Sequence, residues 1–361
     1  MKLHSKHCIS SFIIELNAMI FQRWCKETKI FISTLLVALF LLSVNVNAEL
    51  AQAIEPPTPK QTITQVVGVW QAPSGLKQTP IWPQASPDME GIIQPPESVL
   101  TKYTPEALDG GLSQAVFDVS SPTMTVFPPR GKNTGSAIIV FPGGGYSAVV
   151  VTLEGTEICN WIRSKGITCV LSKYRVPGTN HYWNKKCKCH ITPDVPRALQ
   201  DAQRTIRMVR SKAQVLRIDP NKIGVMGFSA GGYLVAQTSN IFKPAYVPVD
   251  EIDQVSSRPD FAILFFPGHL CRSGKKLDPS IKPTENTPPT FLLQAWDDPV
   301  NKICNSTLYA SALDAVGVSA EVHIFATGGH AFGLRRDKSP DSVWPSLVEN
   351  WLKDIEILHR Y

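Results

Sequence analysis

The sequence predicts an α/β fold in which helices cover both faces of a mostly parallel central sheet. From residue 137 onward, short apolar runs alternate with stretches in which apolar residues recur at every third or fourth position. Short apolar runs are typical of buried strands, and the three-to-four spacing is typical of amphipathic helices. Strands that are apolar throughout are buried on both faces, so their alternation with helices indicates a parallel sheet.

Six apolar runs are the predicted strands of this sheet. They are Ala137–Phe141, Thr168–Tyr174, Ile223–Gly227, Phe261–Phe266, Phe291–Ala295 and Glu321–Phe325. Helices are predicted around residues 198–209 and 347–355, and two earlier antiparallel strands are predicted within residues 78–83 and 123–127. Because ligands in parallel sheets bind beyond the carboxyl ends of the strands, the residues that follow each strand are the candidates for a site.

Composition and charge exclude some classes of protein. With 361 residues, of which 43% are hydrophobic and 18% charged, the chain has the composition of a globular protein with a large core. Without residues 1–48, which hold five basic and two acidic residues, the formal net charge falls from +6 to +3, which is too small and too evenly spread to indicate a nucleic-acid partner.

The amino terminus has the pattern of a secretory signal. Arg23, Lys26 and Lys29 precede an uncharged apolar run over residues 30–44, and small residues follow that run. The run is shorter than the roughly 20 residues that a membrane-spanning helix needs. We therefore predict that residues 1–48 are a signal peptide that is removed, and that the protein is secreted or periplasmic without a stable membrane anchor.

The rest of the chain divides into a tether and one domain. Residues 49–65 contain three prolines and lack apolar periodicity, so we predict a flexible tether there. Residues 66–361 are then a single α/β domain. The start of translation stays open between Met1 and Met19.

One stretch has the pattern of a serine nucleophile. The predicted strand Ile223–Gly227 runs into the sequence G-F-S-A-G at residues 227–231, after which a helix-like sequence begins. In such an elbow, the glycines let neighbouring backbone segments pack closely while the serine hydroxyl is held out beyond the strand. Ser229 is therefore the candidate nucleophile.

A serine hydroxyl needs a base, and the base needs an orienting acid, before it can attack at neutral pH. The fifth predicted strand is followed by Trp296, Asp297 and Asp298, and the sixth is followed by two glycines and His330. We predict His330 as the base and one of the two adjacent carboxylates, Asp297 or Asp298, as the acid. The chain order Ser, Asp, His is that of α/β-hydrolases.

A glycine-rich loop follows the first parallel strand. The strand Ala137–Phe141 runs into Pro142, three glycines and Tyr146. Attack on an ester builds negative charge on the carbonyl oxygen, and backbone N–H groups without intervening side chains can stabilise that charge. The predicted oxyanion donors are the N–H groups of this glycine loop and of Ala230. Ala230 begins the elbow helix, whose positive end adds to the effect.

Several motifs together carry a resemblance to a known family. They are Pro142–Tyr146, Leu153–Gly155, Lys173–Pro177, Gly227–Gly232, Asp297–Val300 and Gly328–Gly333. Over most of its length after the tether, the chain resembles the secreted bacterial α/β-hydrolases related to acetylxylan and feruloyl esterases, of the bifunctional feruloyl and acetyl xylan esterase type. It departs from that pattern at Pro142, where many related enzymes have histidine, and in the K-K-C-K-C-H segment at residues 185–190.

The resemblance implies an α/β-hydrolase fold and a carboxylesterase that acts through an acyl-enzyme, with Ser229 as nucleophile, His330 as base and Asp298 as acid. It also implies Gly144, Gly145 and Ala230 as the oxyanion donors. The implied substrate is an acetyl or other small acyl ester, carried by xylan-type polysaccharide or its oligosaccharides. It implies no cofactor and no metal. The candidate walls of the acyl pocket are the aromatic residues beside the motifs, Tyr146, Trp296 and Phe332.

Two other functions are compatible with the same motifs. A serine peptidase of the prolyl-oligopeptidase kind shares the elbow and the triad order, but this chain has no room for an amino-terminal propeller. A non-catalytic binding protein on a hydrolase scaffold is the other alternative. Such proteins usually lose a triad residue, and none is missing here.

The cysteines and two carboxylates leave further questions open. Six cysteines follow the predicted signal, and six cysteines allow 15 complete pairings, among which the sequence does not choose. Cys187, Cys189 and His190 could be zinc ligands, but their spacing is not that of a structural zinc site, so a disulfide or a solvated loop is favoured. Glu154 and Glu157 lie near a helix start, where the helix dipole favours carboxylates.

Overall fold

The computed structural model describes residues 62–90, 95–103, 111–176, 183–184, 189–190, 196–335 and 339–359. The predicted signal peptide and nearly all of the predicted tether lie outside these residues. The first strand begins at Thr62, four residues before the predicted start of the domain. Among the described residues, no helix is long and apolar enough to cross a membrane.

The strands are β1 (Thr62–Val67), β2 (Gln78–Pro80), β3 (Ser98–Tyr103), β4 (Leu112–Phe117), β5 (Thr123–Phe127), β6 (Ala137–Phe141), β7 (Ala148–Val149), β8 (Thr168–Lys173), β9 (Trp183–Asn184), β10 (Cys189–His190), β11 (Ile223–Phe228), β12 (Phe261–Phe265), β13 (Cys271–Arg272), β14 (Lys276–Leu277), β15 (Thr290–Ala295) and β16 (Ala320–Phe325). The α-helices are α1 (Glu157–Ser164), α2 (Pro196–Ser211), α3 (Ala213–Leu216), α4 (Ala230–Asn240), α5 (Cys304–Asp314) and α6 (Trp344–Asp354). A π-helix covers Thr152–Thr156, and 3-10 helices cover Glu251–Gln254 and Pro340–Val343.

The central sheet has the strand order β16-β15-β12-β11-β6-β8-β5-β2. Neighbours from β16 to β8 pair in parallel, whereas β5 pairs antiparallel with both β8 and β2. The parallel strands are the six apolar runs of the sequence, each displaced by one residue or less at either end. The predicted early antiparallel strands are also present as β2 and β5.

Helices cover both faces of this sheet. Gly227 and Phe228 are adjacent in β11, so they point to opposite faces, and Phe265 of β12 is paired with Phe228 on the same face. A Cβ on Gly227 would lie 2.8 Å from Val235 of α4, whereas the ring centroid of Phe265 lies 4.7 Å from that of Trp344 of α6. Since α4 and α6 pack on opposite faces, the predicted fold class is confirmed.

A second, antiparallel sheet with the order β1-β3-β4-β7 precedes and flanks the glycine-rich loop. The sequence analysis does not predict it, because its strands are partly exposed and lack apolar runs; all six residues of β1 are exposed. A buried ion pair links this region to the central sheet: Lys173 Nζ lies 2.7 Å from both carboxylate oxygens of Glu97. The last residue of β8 is thereby fixed to the segment that leads into β3.

Among the described residues, two disulfides join elements that the sequence could not pair. Cys159 of α1 is bonded to Cys169 of β8, and both are fully buried. Cys271 of β13 is bonded to Cys304, the first residue of α5. The second bond lies close in the chain to the loops that carry the candidate site.

Candidate active site

The serine elbow has the backbone conformation that its sequence predicts. Ser229 lies between β11 and α4 with φ +52° and ψ −113°, a region that residues with a side chain rarely adopt. Its carbonyl accepts hydrogen bonds from the N–H groups of Tyr233 and Gly268, which hold the turn in place. A Cβ on Gly231 would lie 1.9 Å from the carbonyl oxygen of Phe141, so only glycine fits there. Strand and helix therefore pack closely at this turn. The Ser229 side chain itself is partly exposed.

His330 lies beside Ser229 although 101 residues separate them in the chain. Its Nε2 is 3.1 Å from Ser229 Oγ, and its Nδ1 is 2.8 Å from Asp298 Oδ2. The edge of the Phe266 ring packs against the imidazole, with the ring centroids 4.8 Å apart. The structure thus brings the three predicted triad residues into one hydrogen-bonded chain, and their catalytic roles stay predictions.

The two adjacent aspartates have different environments. Asp298 is buried, and its Oδ1 accepts the N–H groups of Val300 and Asn301 at 2.8 and 2.9 Å while Oδ2 faces the histidine. Asp297 is exposed, and its Oδ1 accepts the N–H of Gly329 at 2.8 Å. Asp297 therefore fastens the loop that carries the histidine, whereas Asp298 contacts the imidazole itself.

The glycine-rich loop passes directly beside the serine. A Cβ on Gly143 would lie 3.0 Å from the Ser229 Cβ, and a Cβ on Gly144, which has φ +129°, would lie 2.2 Å from the carbonyl oxygen of Ala148. Among the described residues, the N–H groups of Gly144 and Gly145 donate to no other group. Ala230 is the first residue of α4, where a helix leaves its N–H groups unpaired. The position of these three residues as oxyanion donors stays a prediction.

Comparison with known proteins places this site in a family. The family model described as BD-FAE matches residues 125–243, and that of the prolyl oligopeptidase family matches residues 197–354. Acetylxylan esterase from Xylanibacter ruminicola is 31% identical over 280 residues, which are 70% of this chain and 51% of that protein. The crystal structure of an acetyl ester-xyloside bifunctional hydrolase from Caldicellulosiruptor lactoaceticus is 30% identical, with a TM-score of 0.60, over 78% of this chain and 97% of that one.

The chain belongs to the acetylxylan-esterase-like α/β-hydrolases. The resemblance identified from the sequence motifs is thereby confirmed. An esterase from Thermogutta terrifontis, 24% identical with a TM-score of 0.53 over 66% of this chain and 89% of that one, has the same fold. The chain spans about half the length of the acetylxylan esterase and a third of the length of endo-1,4-beta-xylanase B from Butyrivibrio fibrisolvens, which is 26% identical over 225 residues.

Asn301 is a site residue of this acetylxylan-esterase-like hydrolase that the sequence analysis does not predict. Its Nδ2 lies 3.3 Å from Ser229 Oγ and donates at 2.9 Å to the carbonyl of Phe266, while its backbone N–H donates to Asp298. Because the Asn301 amide donates to the serine oxygen, the hydroxyl hydrogen of Ser229 can point toward His330. In the sequence, only the position of Asn301 three residues after Asp298 could have indicated that it lies beside Ser229.

We expect Asn301→Ala to lower kcat about tenfold, the effect of losing one hydrogen bond that orients the hydroxyl. The measurement is kcat with p-nitrophenyl acetate. Asn305→Ala is the matched control, because Asn305 Oδ1 accepts the N–H of Cys271 and contacts no triad residue. Equal losses of kcat in the two variants would show that Asn301 acts on the stability of the fold and not on Ser229.

The three aromatic residues predicted as pocket walls lie in different environments. Phe332 borders a cavity of 340 Å³ that His330 and Leu153 also line, and its ring packs on Phe266 with the centroids 4.7 Å apart. Tyr146 is fully buried, with ring centroids 6.2 Å from Tyr174 and 5.8 Å from His269. Trp296 is 65% exposed. Their contact with substrate stays a prediction, and the cavity beside Phe332 supports it for that residue.

The cysteine-rich motif lies mostly beyond the described residues. Strands β9 and β10 pair Trp183 with His190 and Asn184 with Cys189 through their backbones. Cys187 and the side chains of Cys189 and His190 are outside the part of the chain that the structure describes. The disulfide, loop and zinc hypotheses for this motif therefore stay open.

Proposed function

We propose that this chain is a secreted or periplasmic serine carboxylesterase that removes acetyl or other small acyl groups from xylan-type polysaccharide or its oligosaccharides. The observation that carries the proposal is the hydrogen-bonded chain from Ser229 through His330 to Asp298. The names of two relatives, an acetylxylan esterase and an acetyl ester-xyloside hydrolase, support the substrate class. The two disulfides support export, because disulfides persist mainly in oxidising compartments.

In the proposed reaction, Ser229 Oγ attacks the ester carbonyl while His330 Nε2 takes its proton. Asp298 accepts a hydrogen bond from Nδ1, which fixes the tautomer of the ring and stabilises the imidazolium that forms. The N–H groups of Gly144, Gly145 and Ala230 stabilise the negative charge on the carbonyl oxygen. Because these are backbone groups on a packed loop and a helix start, they need no rearrangement when the charge develops.

The imidazolium then gives its proton to the departing sugar oxygen, so that the sugar hydroxyl leaves and the acyl group stays on Ser229 Oγ. Water enters, loses a proton to His330 and attacks the same carbonyl carbon. The bond to Ser229 Oγ then breaks, His330 returns the proton to that oxygen, and the carboxylic acid is released. Both steps use one base and one oxyanion site. The proposed reaction uses only the residues named in these two steps.

A serine peptidase is the second candidate, because the prolyl oligopeptidase family model matches residues 197–354. That match covers the elbow, the acid and the histidine, which esterases and peptidases of this fold share. The two functions therefore differ in the substrate and not in the triad.

A panel of substrates tests the proposal. We expect hydrolysis of p-nitrophenyl acetate and release of acetate from acetylated xylan, with slower turnover of longer acyl esters. Methyl ferulate reports feruloyl esterase activity, and a proline-containing peptide amide reports the peptidase. Cleavage of the peptide amide without acetate release from xylan would replace the proposed function with the second candidate.

A further inference from the structure

A buried glutamate lies directly behind the glycine-rich loop. Glu154 is on the π-helix Thr152–Thr156, an element that often occurs at functional sites, and only 3% of its surface is exposed. Its Oε2 accepts the N–H of Gly143 at 2.6 Å. Among the described residues, the carboxylate has no cationic ion-pair partner and receives this one hydrogen bond. A buried carboxylate without a cation is costly, so it calls for an explanation beyond packing.

The hydrogen bond from Gly143 is one of three that fix the start of the loop. Tyr174 donates its hydroxyl to the carbonyl of Pro142 at 2.5 Å, and Val150 donates its N–H to the carbonyl of Gly143 at 3.0 Å. A Cβ on Gly143 would lie 2.8 Å from Glu154 Oε2 and 3.0 Å from the Ser229 Cβ. The Glu154 carboxylate and Ser229 therefore both border Gly143, and the next two residues of the chain are the predicted oxyanion donors.

Burial raises the pKa of Glu154 from its ordinary 4.5 to about 7, although the N–H of Gly143 and the charge of His330 each lower it. Burial, and then the charge of Glu154, raise the pKa of the Tyr174 phenol, which stays neutral. The other charges on neighbouring elements are paired with one another: Glu157 with Arg335, Lys173 with Glu97, and Arg175 with Asp201. Of the charged groups on these elements, His330 is thus the one that acts on the Glu154 carboxylate.

We propose that Glu154 is a positioning residue of the active site, which holds the Gly143 peptide and places a buried negative charge beside His330. The inference rests on the proposed esterase function. The hydrogen bond sets the direction of the following N–H groups, those of Gly144 and Gly145. The charge favours the imidazolium that forms when Ser229 loses its proton.

Three variants separate these two effects, measured with p-nitrophenyl acetate between about pH 5 and 9. We expect Glu154→Leu, which removes acceptor and charge, to lower kcat about 10²-fold with little change in KM, as loss of one oxyanion donor does. Glu154→Gln keeps an acceptor for Gly143, so its kcat should stay within about tenfold of wild type. Its acid limb of kcat/KM should move to lower pH by roughly half a unit or more, because the ionisation of Glu154, whose pKa is about 7, no longer contributes to that limb.

Glu157→Gln is the control, since that carboxylate lies three residues along and pairs with Arg335. Its acid limb should coincide with that of the wild type. If Glu154→Leu fails to fold, the pH profile of Glu154→Gln decides the question. If the wild type is active and the acid limb of kcat/KM is unshifted in Glu154→Gln, the role of Glu154 is overturned and the proposed function stands. If the wild type hydrolyses no ester, both the role of Glu154 and the proposed function are overturned.

Discussion

Ser229→Ala is expected to lower kcat for p-nitrophenyl acetate by about 10⁶-fold, the size of the effect when a serine triad loses its nucleophile. Ser229 Oγ is the atom that forms the acyl bond, and the alanine offers none. Residual hydrolysis should still exceed the uncatalysed rate by roughly 10³ to 10⁴, because the oxyanion donors and the binding site remain. The loss of kcat is measured from initial rates with excess substrate, in a time course that shows no initial burst of product.

Ser239→Ala is a suitable control for this experiment. Ser239 is a fully buried serine near the end of α4, on the same helix that the elbow begins. It should keep a kcat near that of the wild type, and circular dichroism should show both variants folded. If a folded Ser229→Ala protein retains more than about a hundredth of the wild-type kcat, Ser229 is not the nucleophile.

Asp298→Asn is expected to lower kcat by about 10⁴-fold, as loss of the acid does in another serine triad. The amide would offer an N–H where the histidine Nδ1–H needs an acceptor, so His330 would adopt the wrong tautomer. The same change also alters the contacts of Asp298 with Val300 and Asn301. The thermal midpoint must therefore be measured beside kcat.

Asp297→Asn is the matched comparison, because it is the neighbouring carboxylate in the same loop. An asparagine oxygen can still accept the N–H of Gly329, so we expect a loss of kcat of less than about tenfold. The ratio of the kcat losses in Asp298→Asn and Asp297→Asn then measures how much the contact between Asp298 and His330 contributes to kcat. Should Asp297→Asn be the more damaging of the two while folded, the acid would be Asp297 and the present assignment wrong.

The sequence alone predicts those features that depend on local pattern. The inner strands of the parallel sheet are largely apolar because they are buried on both faces, and runs such as Ala137–Phe141 are visible in the chain without any tertiary information. The elbow is likewise local, since the close contact of Gly231 with Phe141 requires glycine at a fixed spacing from Ser229.

Other features depend on contacts between distant segments. Asp297 and Asp298 are equal candidates until the loop conformation turns one toward His330 and the other toward Gly329. Glu154 is separated from Gly143 by 11 residues, and its sequence position indicates only a helix start. Asn301 becomes a neighbour of Ser229 only through the fold of the loop after β15. Composition and periodicity carry no information about such contacts.

The most direct test of the central claim is the site of covalent labelling by a fluorophosphonate, which reacts with an activated serine as an ester does. Intact-protein mass spectrometry should show one adduct per chain, and peptide mapping should place it on Ser229. His330→Ala should slow the labelling, because the hydroxyl loses its base. An adduct on another residue, or labelling of Ser229→Ala at the wild-type rate, would contradict the account.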